Sequence, residues 1–381
     1  MRKIKTAVIG AGFMGKVHTE MIRRLGFVEV AGVAAVSKEE AAQFAKLMSV
    51  ERTTDNYMEL IADPEIEAVH ICTPNVLHAP IAKAAIEAGK HVLCEKPLAM
   101  SVAEAQEMLD LAQKKGVVHC VNHNLRYYPV VQHIRQMIQA GQLGEILIVQ
   151  GTYSQDWLLY ETDYNWRLES KENGPLRAVA DIGSHWMDMI QHLTGLKITA
   201  LVADLQTFHK KRKKPKVAIE TFAGKTLKPE DYEEVEIDTE DYGGVLLRLG
   251  EKARGAFTVS QMSAGCKNRF QIEIYGTEAG VMWNQETPDI LWIGRRNEPN
   301  QIIVKDPALL MGEAATYADL PGGHSEGYDD THKQVFKRFY RKILDPSAPT
   351  AFPTFEDGLW GMKLLEKVLE SARTGSWVTV S

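Results

Sequence analysis

The sequence predicts an α/β protein in two parts, a parallel doubly wound sheet followed by an α+β domain. Three observations predict it. From residue 1 to about 122, short apolar runs alternate with amphipathic helical patterns, and such alternation gives parallel strands because each needs a crossover connection. From about 197 to 304 the rhythm changes to successive strand-like runs separated by Gly, Asn or Pro, the pattern of largely antiparallel pairing. The first apolar run breaks directly into Gly10-Ala11-Gly12-Phe13-Met14-Gly15, and a helical pattern follows.

In the first part the strands fall at 4–9, 28–36, 68–72, 91–94 and 117–121, each a short, mainly apolar run. Helices fall between them at 14–25, 38–48, 78–88 and 101–114. Gly26 ends the first helix, and Gly89 and Gly116 sit just past two others, where a left-handed residue closes a helix without a Cβ penalty. Ser101 with Glu104, and Ser37 with Glu40, have the S-x-x-E spacing of a capping box. After Tyr128-Pro129 a helix at 130–140 stops at Gly141 and a strand follows at 145–153. A helix at 181–193 stops before Gly195. Strands follow at 198–206, 243–249, 254–261, 269–276 and 279–283, and helices at 325–343 and 355–373 finish the chain. The polar stretch 207–231 reads as a long excursion. The domains are therefore 1–124 and 125–381, with the C-terminal helix free to pack back on the first.

The chain has 381 residues, 45% of them hydrophobic and 25% charged, with a formal net charge of −6. That balance fits a globular enzyme with ample core and argues against a nucleic-acid partner, which would need a basic face. The basic run Lys210–Lys216 contains Pro215 and no interleaved aromatic, so it reads as a solvated loop. Cys72, Cys94, Cys120 and Cys266 are scattered, and three of them close apolar runs like small buried hydrophobes. With no signal peptide and no apolar stretch of spanning length, the expectation is a cytoplasmic protein without a membrane partner.

The chemistry-bearing motifs follow the strands. A strand, a G-x-G-x-x-G turn and a helix together form a pyrophosphate grip: Gly10 permits the turn, Gly12 lets backbone approach the phosphates, and Gly15 packs helix on strand. The helix start, through Phe13 and Met14, offers N–H groups and a positive dipole end. The second strand ends in Ser37-Lys38 with no acid, which leans toward NADP over NAD because a hydroxyl and an ammonium suit a 2′-phosphate. Ser37 also caps the next helix. Thr73-Pro74-Asn75, with His78 a turn later, and Glu95-Lys96 follow two further strands on the ligand-binding edge. Asp181 and His185 stand one helical turn apart. A carboxylate-oriented histidine can take the proton of an alcohol as hydride leaves, and a lysine can stabilise the developing alkoxide. A metal trio of His123, Asp181 and His185 lacks a diagnostic ligand spacing, so no metal is expected.

Together, G-x-G-x-x-G (10–15), T-P-N-x-x-H (73–78), E-K-P (95–97), N-x-x-x-R-x-x-P (122–129) and D-I-G-S-H (181–185) resemble the glucose–fructose oxidoreductase / inositol dehydrogenase / rhizopine-catabolism family over nearly the whole chain. The resemblance implies an N-terminal Rossmann dinucleotide-binding domain and a C-terminal α+β domain with a large, mostly antiparallel open sheet, often buried in oligomer contacts. It implies Lys96 near nicotinamide and substrate hydroxyl, Asp181 and His185 as the acid/base pair, and Asn75 at the cofactor. Ser37 stands where NAD-using members often carry an acid.

The resemblance also implies a sugar or cyclitol substrate, for which Tyr153, Asp156, Trp157, Trp166, Arg167 and His324 are candidate contacts beside Asp181 and His185. Aromatic rings suit the C–H face of a pyranose and the polar groups suit its hydroxyls. The leading reading is an NAD(P)-dependent sugar or cyclitol dehydrogenase. A redox-neutral glycoside-cleaving enzyme with retained NAD is the alternative, and a nucleotide-sensing regulator comes third, disfavoured by the presence of Lys96, Asp181 and His185 together. A broad sheet with few helices to cover it predicts a homodimer or homotetramer.

Overall fold

A computed structural model of the chain describes residues 2–216 and 228–381. Two compact units emerge: Met1–Tyr127 with Tyr328–Met362, and Tyr128–Gly327 with Lys363–Ser381.

The first unit carries a six-stranded sheet of β1 (Ile4–Ile9), β2 (Val28–Ala34), β3 (Thr53–Thr54), β4 (Ala68–Ile71), β5 (His91–Cys94) and β6 (His119–Val121) in the order β3-β2-β1-β4-β5-β6. Every pairing is parallel. Five of the six strands follow the apolar runs; β3 is two threonines, too short to leave a periodic trace. Helices α1 (Phe13–Arg23), α2 (Lys38–Met48), α3 (Tyr57–Ile61), α4 (His78–Glu87) and α5 (Val102–Lys115) connect them. The caps are those the sequence spacing gives: Ser101 and Ser37 each accept from the N–H three residues on, at 3.2 Å.

The second unit opens with α6 (Pro129–Gln139) and β7 (Ile146–Ser154), passes a short α7 (Ser170–Asn173), and enters α8 (Ser184–Thr194) through a π-helical turn at Val179–Gly183. Its remaining strands are β8 (Ile198–Gln206), β9 (Lys211–Pro215), β10 (Tyr232–Glu236), β11 (Tyr242–Leu249), β12 (Ala253–Ser260), β13 (Arg269–Gly276), β14 (Gly280–Asn284), β15 (Ile290–Arg295), β16 (Glu298–Val304) and β17 (Val378–Thr379). Eight of them join β7 in one nine-stranded sheet in the order β16-β15-β14-β13-β7-β12-β11-β8-β17, antiparallel throughout except for β7 beside β12. Helices α9 (Tyr328–Leu344) and α10 (Phe355–Thr374) end the chain.

Register sorts this sheet into two faces. Val149, Phe257, Val245, Ile272 and Trp283 are buried, and Trp186 of α8 stacks on Phe257 at 4.5 Å between ring centroids. On the opposite face one cross-strand row runs Ile302, Trp292, Met282, Glu273, Gln150, Ala256, Leu246, Val202. Its members are half-buried or exposed, Leu246 and Ile302 by 52% and 60%.

The basic run is not a solvated loop. Lys211–Pro215 pairs antiparallel with Tyr232–Glu236, whose acids answer it, as where Lys211 meets Glu234 at 2.6 Å. Arg212 within it is fully buried. Residues 217–227 of the expected excursion lie outside the described residues. All four cysteines are free. Among the described residues no helix is long and apolar enough to cross a membrane.

Candidate active site

In the first unit the ligand edge is built from loops that leave the carboxyl ends of β1, β4 and β5. Gly10 has φ +111°, and a Cβ there would lie 2.5 Å from the Cys72 carbonyl oxygen, so only glycine fits the turn. Above Gly12 a Cβ would meet nothing within 4 Å, which leaves backbone open to an incoming group. Helix α1 starts at Gly12 with no side-chain cap and no acid in its first turn. A pyrophosphate fits that start, because helical N–H groups and the dipole both favour an anion there.

His78 ties two of the loops together. Its Nδ1 lies 2.8 Å from the Pro97 carbonyl and its Nε2 3.0 Å from the Thr73 carbonyl, and it is fully buried. Each nitrogen faces a carbonyl, one of which accepts from the single N–H of the neutral ring, so His78 packs between the T-P-N and E-K-P loops and ties them together. Asn75 is buried, Thr73 and Lys96 half-buried. Ser37 Oγ is engaged with the Glu40 N–H, while Glu40 folds back so that Oε2 lies 3.3 Å from the Val36 N–H. A carboxylate therefore stands at the end of β2, supplied from the next helix. Lys38 is exposed.

Behind Lys96 lies a buried network that sequence reading missed. Glu95 Oε1 meets His18 Nε2 at 3.0 Å, His18 Nδ1 meets His70 Nδ1 at 2.9 Å, and His70 Nε2 meets the Tyr340 hydroxyl at 2.7 Å. Asn122 Nδ2 lies 2.5 Å from Glu95 Oε1, 3.0 Å from His332 Nδ1 and 3.2 Å from His18 Nε2. Ligand-type atoms of His18, Glu95 and His332 thus gather within 4.8 Å of one another, and the two N–H groups of the Asn122 amide are directed to Glu95 Oε1 and His332 Nδ1. Burial pushes the Glu95 carboxyl up, but the hydrogen bond and charge of His18, with Lys96 alongside, outweigh it and hold it at about 2. Burial, reinforced by His18, takes His332 down to about 3. Arg126 of the N-x-x-x-R-x-x-P motif pairs with Asp357 at 2.9 Å and anchors the start of α10.

In the second unit, Asp181 lies in the π-helical turn and His185 in the first turn of α8. Asp181 Oδ2 accepts from Gln261 Nε2 at 2.8 Å, and Oδ1 lies 3.4 Å from Arg167 Nε. His185 is buried, with its ring 6.4 Å from that of Tyr153. Burial, with the Asp181 charge next in size, pushes the Tyr153 phenol well above its usual range. The Tyr153 hydroxyl donates to Asn268 Oδ1 at 2.8 Å, which also accepts from Gln155 Nε2 at 2.9 Å; Trp157 Nε1 donates to Gln155 at 2.8 Å. The Arg167 guanidinium lies 4.5 Å over the Trp166 ring.

The structure thus brings Tyr153, Trp157, Trp166, Arg167, Asp181 and His185 into connected contacts. Asp156 points its charge elsewhere, to Lys267 at 2.6 Å. His324 stands on an exposed turn, its Nδ1 3.3 Å from the Gly322 carbonyl. Gln261 and Asn268 were not foreseen, because each follows or precedes a strand with no motif around it.

A glycine turn on a doubly wound parallel sheet, a lysine two loops away, and a second unit presenting a carboxylate-histidine turn define a Rossmann-type oxidoreductase. Family models match accordingly: the oxidoreductase family with an NAD-binding Rossmann fold over residues 4–123, and the GFO/IDH/MocA C-terminal domain over residues 131–282. The chain belongs to this GFO/IDH/MocA oxidoreductase family, and its first domain is an NAD-binding Rossmann domain. It is similar to levoglucosan dehydrogenase of Pseudarthrobacter phenanthrenivorans, 31% identical with 100% of this chain and 99% of the relative covered. It is also similar to the 1,5-anhydro-D-fructose reductase of Ensifer adhaerens, 28% identical over 91% and 90% of the two chains. A solved structure of levoglucosan dehydrogenase in complex with NADH and levoglucosan superposes with a TM-score of 0.89, at 29% identity and full coverage of both chains.

Proposed function

We propose that the protein is an NAD-dependent dehydrogenase acting on a ring hydroxyl of an uncharged sugar such as an anhydro-hexose. The observation that carries this reading is the doubly held Asp181 carboxylate one turn from His185, close enough to Tyr153 for its charge to act on that phenol, and facing Arg167, which lies over Trp166. The end-to-end similarity to levoglucosan dehydrogenase supports the substrate class. The basic strand asks for no anionic substrate, since its charges are answered by acids of the same chain.

In this reading Gly10, Gly12, Phe13, Met14 and Gly15 hold the pyrophosphate, and Thr73, Asn75, Glu95 and Lys96 hold the nicotinamide end, their loops clamped by His78. Bound nicotinamide supplies the hydride acceptor. His185 takes the hydroxyl proton, Asp181 keeps its ring oriented and favours the imidazolium, and Lys96 stabilises negative charge on the substrate oxygen. Tyr153, Trp157 and Trp166 offer apolar faces to the sugar ring.

NAD is the better-supported dinucleotide, against the lean to NADP drawn from Ser37-Lys38. The Ser37 hydroxyl is used as a helix cap, and the Glu40 carboxylate at the end of β2 would repel a 2′-phosphate while accepting from a 2′-hydroxyl. A cytoplasmic setting agrees with the four free cysteines. A second copy of the chain covers the open face of the nine-stranded sheet, where Leu246 and Ile302 would otherwise stay in water.

The test is a panel of levoglucosan, glucose, inositols and alkyl glycosides against NAD and NADP, read by nicotinamide absorbance. Reduction of NAD with an uncharged sugar is expected. Glycoside cleavage with no net reduction would replace this reading by the redox-neutral one, and inertness toward every sugar would overturn it.

A further inference from the structure

The Asp181 carboxylate is held by a buried side chain that no motif announces. Gln261, just past β12, is fully buried. Its main chain is pinned from both sides: its N–H donates to the Asp241 carbonyl at 3.2 Å, and its carbonyl accepts from the Leu158 N–H at 3.2 Å. Its side chain is pinned by chemistry. Arg177 Nη1 lies 2.8 Å from Gln261 Oε1. Arginine only donates, so the oxygen must face it, and the amide nitrogen is turned to Asp181 Oδ2 at 2.8 Å.

Arg177 is itself immobile. It is fully buried, its Nη2 donates to Asp241 Oδ1, and its Nε reaches Thr239 Oγ1 at 3.3 Å. Asp241 is shared with Arg212 Nη2 at 2.8 Å, and its second oxygen accepts from the Phe208 and His209 N–H groups at 2.7 and 3.1 Å. Arg212 comes from the basic run 210–216, and this lock explains why it alone of that run is buried. The same arginine also sets the backbone of the turn: Glu240 accepts from the Arg177 N–H at 2.9 Å and the Val179 N–H at 2.8 Å, and the Asp181 N–H donates to the Arg177 carbonyl at 2.7 Å.

We infer that Gln261 is a positioning residue for the acid/base pair, transmitting the fixed orientation of the Arg177–Asp241–Arg212 lock to the Asp181 carboxylate. The inference rests on the proposed roles of Asp181 and His185. Gln261 donates to one oxygen of Asp181 and Arg167 faces the other, so the carboxylate is held in one plane while His185, a turn on, cycles its proton. The charged and titratable groups around Asp181 are then Arg167, Tyr153 and His185 directly, and Arg177, Asp241, Arg212 and Glu240 behind Gln261.

Two substitutions test this. Gln261→Glu keeps the oxygen that faces Arg177 but sets a second carboxylate oxygen against Asp181, so the two must share a proton. The acid limb of the kcat–pH profile, with levoglucosan and NAD as probes, should move up by about one unit or more. Gln261→Met keeps the volume and removes the donor; kcat should fall about 10- to 100-fold with KM changed little, as expected for a misplaced catalytic group. NMR titration of the His185 ring in the whole chain reads the same displacement without any sugar, and serves if either variant turns over poorly. Thermal melts and NAD binding confirm folding, and the isosteric Gln261→Glu covers a Gln261→Met that does not fold. If Asp181→Asn and His185→Asn leave turnover intact, the functional reading itself has failed. If those two lower turnover while both Gln261 variants keep kcat, the acid limb and the His185 titration at wild-type values, the positioning role is overturned.

Discussion

The two units bury polar networks of opposite character. In the first, His18, His70, His332, Glu95, Asn122 and Tyr340 meet around β5 and α9, and His70, His332 and Glu95 among them are held below their usual ranges. In the second, two arginines share Asp241 in full burial, with charges that persist at any pH a protein survives. A histidine network can give up its charge and relax. An arginine lock cannot, so it is the better anchor for the Asp181 carboxylate, and breaking it leaves a buried charge with a lost partner.

Truncating the arginine lock gives the largest expected effect. Arg177→Met should cost roughly 3–5 kcal/mol of stability, as breaking a buried ion pair does. Its counterpart His70→Phe should cost about 1–3 kcal/mol, the scale of one unsatisfied buried polar group. Denaturant melts compare them, and equal losses would erase the distinction between the networks.

Lys96→Ala comes next. It should lower turnover about 10²- to 10³-fold, the scale for removing one transition-state donor, while NAD binding, read by calorimetry, stays close to wild type if, as proposed, the glycine turn makes the phosphate contacts. Near-normal turnover would remove Lys96 from the chemistry and leave the first unit a pure nucleotide holder.

Acid separates the units by sign. His332 is held at about 3 against an ordinary 6.5, so its contribution is lost as pH falls through 6.5 toward 3. Glu95, held at about 2 against 4.5, loses its contribution as pH falls from 4.5 toward 2. Glu240 runs the other way: burial raises it to about 6 from 4.5, so the stability tied to it is greatest below 4.5 and is lost as pH rises through 6. Hydrogen exchange between pH 7 and 4.5 should therefore show protection falling around β5, β6 and α9, while residues 177–181 keep theirs. The reverse order would contradict the assignment of charges.

The smallest effect concerns the dinucleotide. Glu40→Gln should weaken discrimination against NADP by a few-fold, about 1 kcal/mol, because it removes one half-buried repulsive charge at the end of β2. A variant with an unchanged NAD/NADP ratio would leave Glu40 a helix cap only.

Legibility also differs between the units. In the parallel sheet each functional loop directly follows a strand, so G-x-G-x-x-G, T-P-N and E-K-P could be placed by reading apolar runs and their ends. The strands of the antiparallel sheet from β7 to β14 were found by the same signal, whereas β15 and β16, with an exposed outer edge, were not. His78, expected at the cofactor, also bridges two loops, because only folding brings the Pro97 and Thr73 carbonyls to its two nitrogens. Lys210–Lys216 read as solvated charge, because the acids that answer it, Asp241 and Glu234, come from later in the chain.

By itself the sequence determined the periodicity of the elements, the caps, the glycine turn, and the residue types able to carry hydride-transfer chemistry, since all of these depend on neighbours within a few positions. Tertiary structure alone decided which polar groups were buried and with whom. His18, His70, Glu95, Asn122, His332 and Tyr340 come from five separate segments, the last two sharing α9, and Arg167, Arg177, Asp181, Asp241 and Gln261 from four more. A buried hydrogen bond needs its partner in space and leaves no mark on the chain between, so pairings such as Gln261 with Asp181, 80 residues apart, exist only once the sheet has formed.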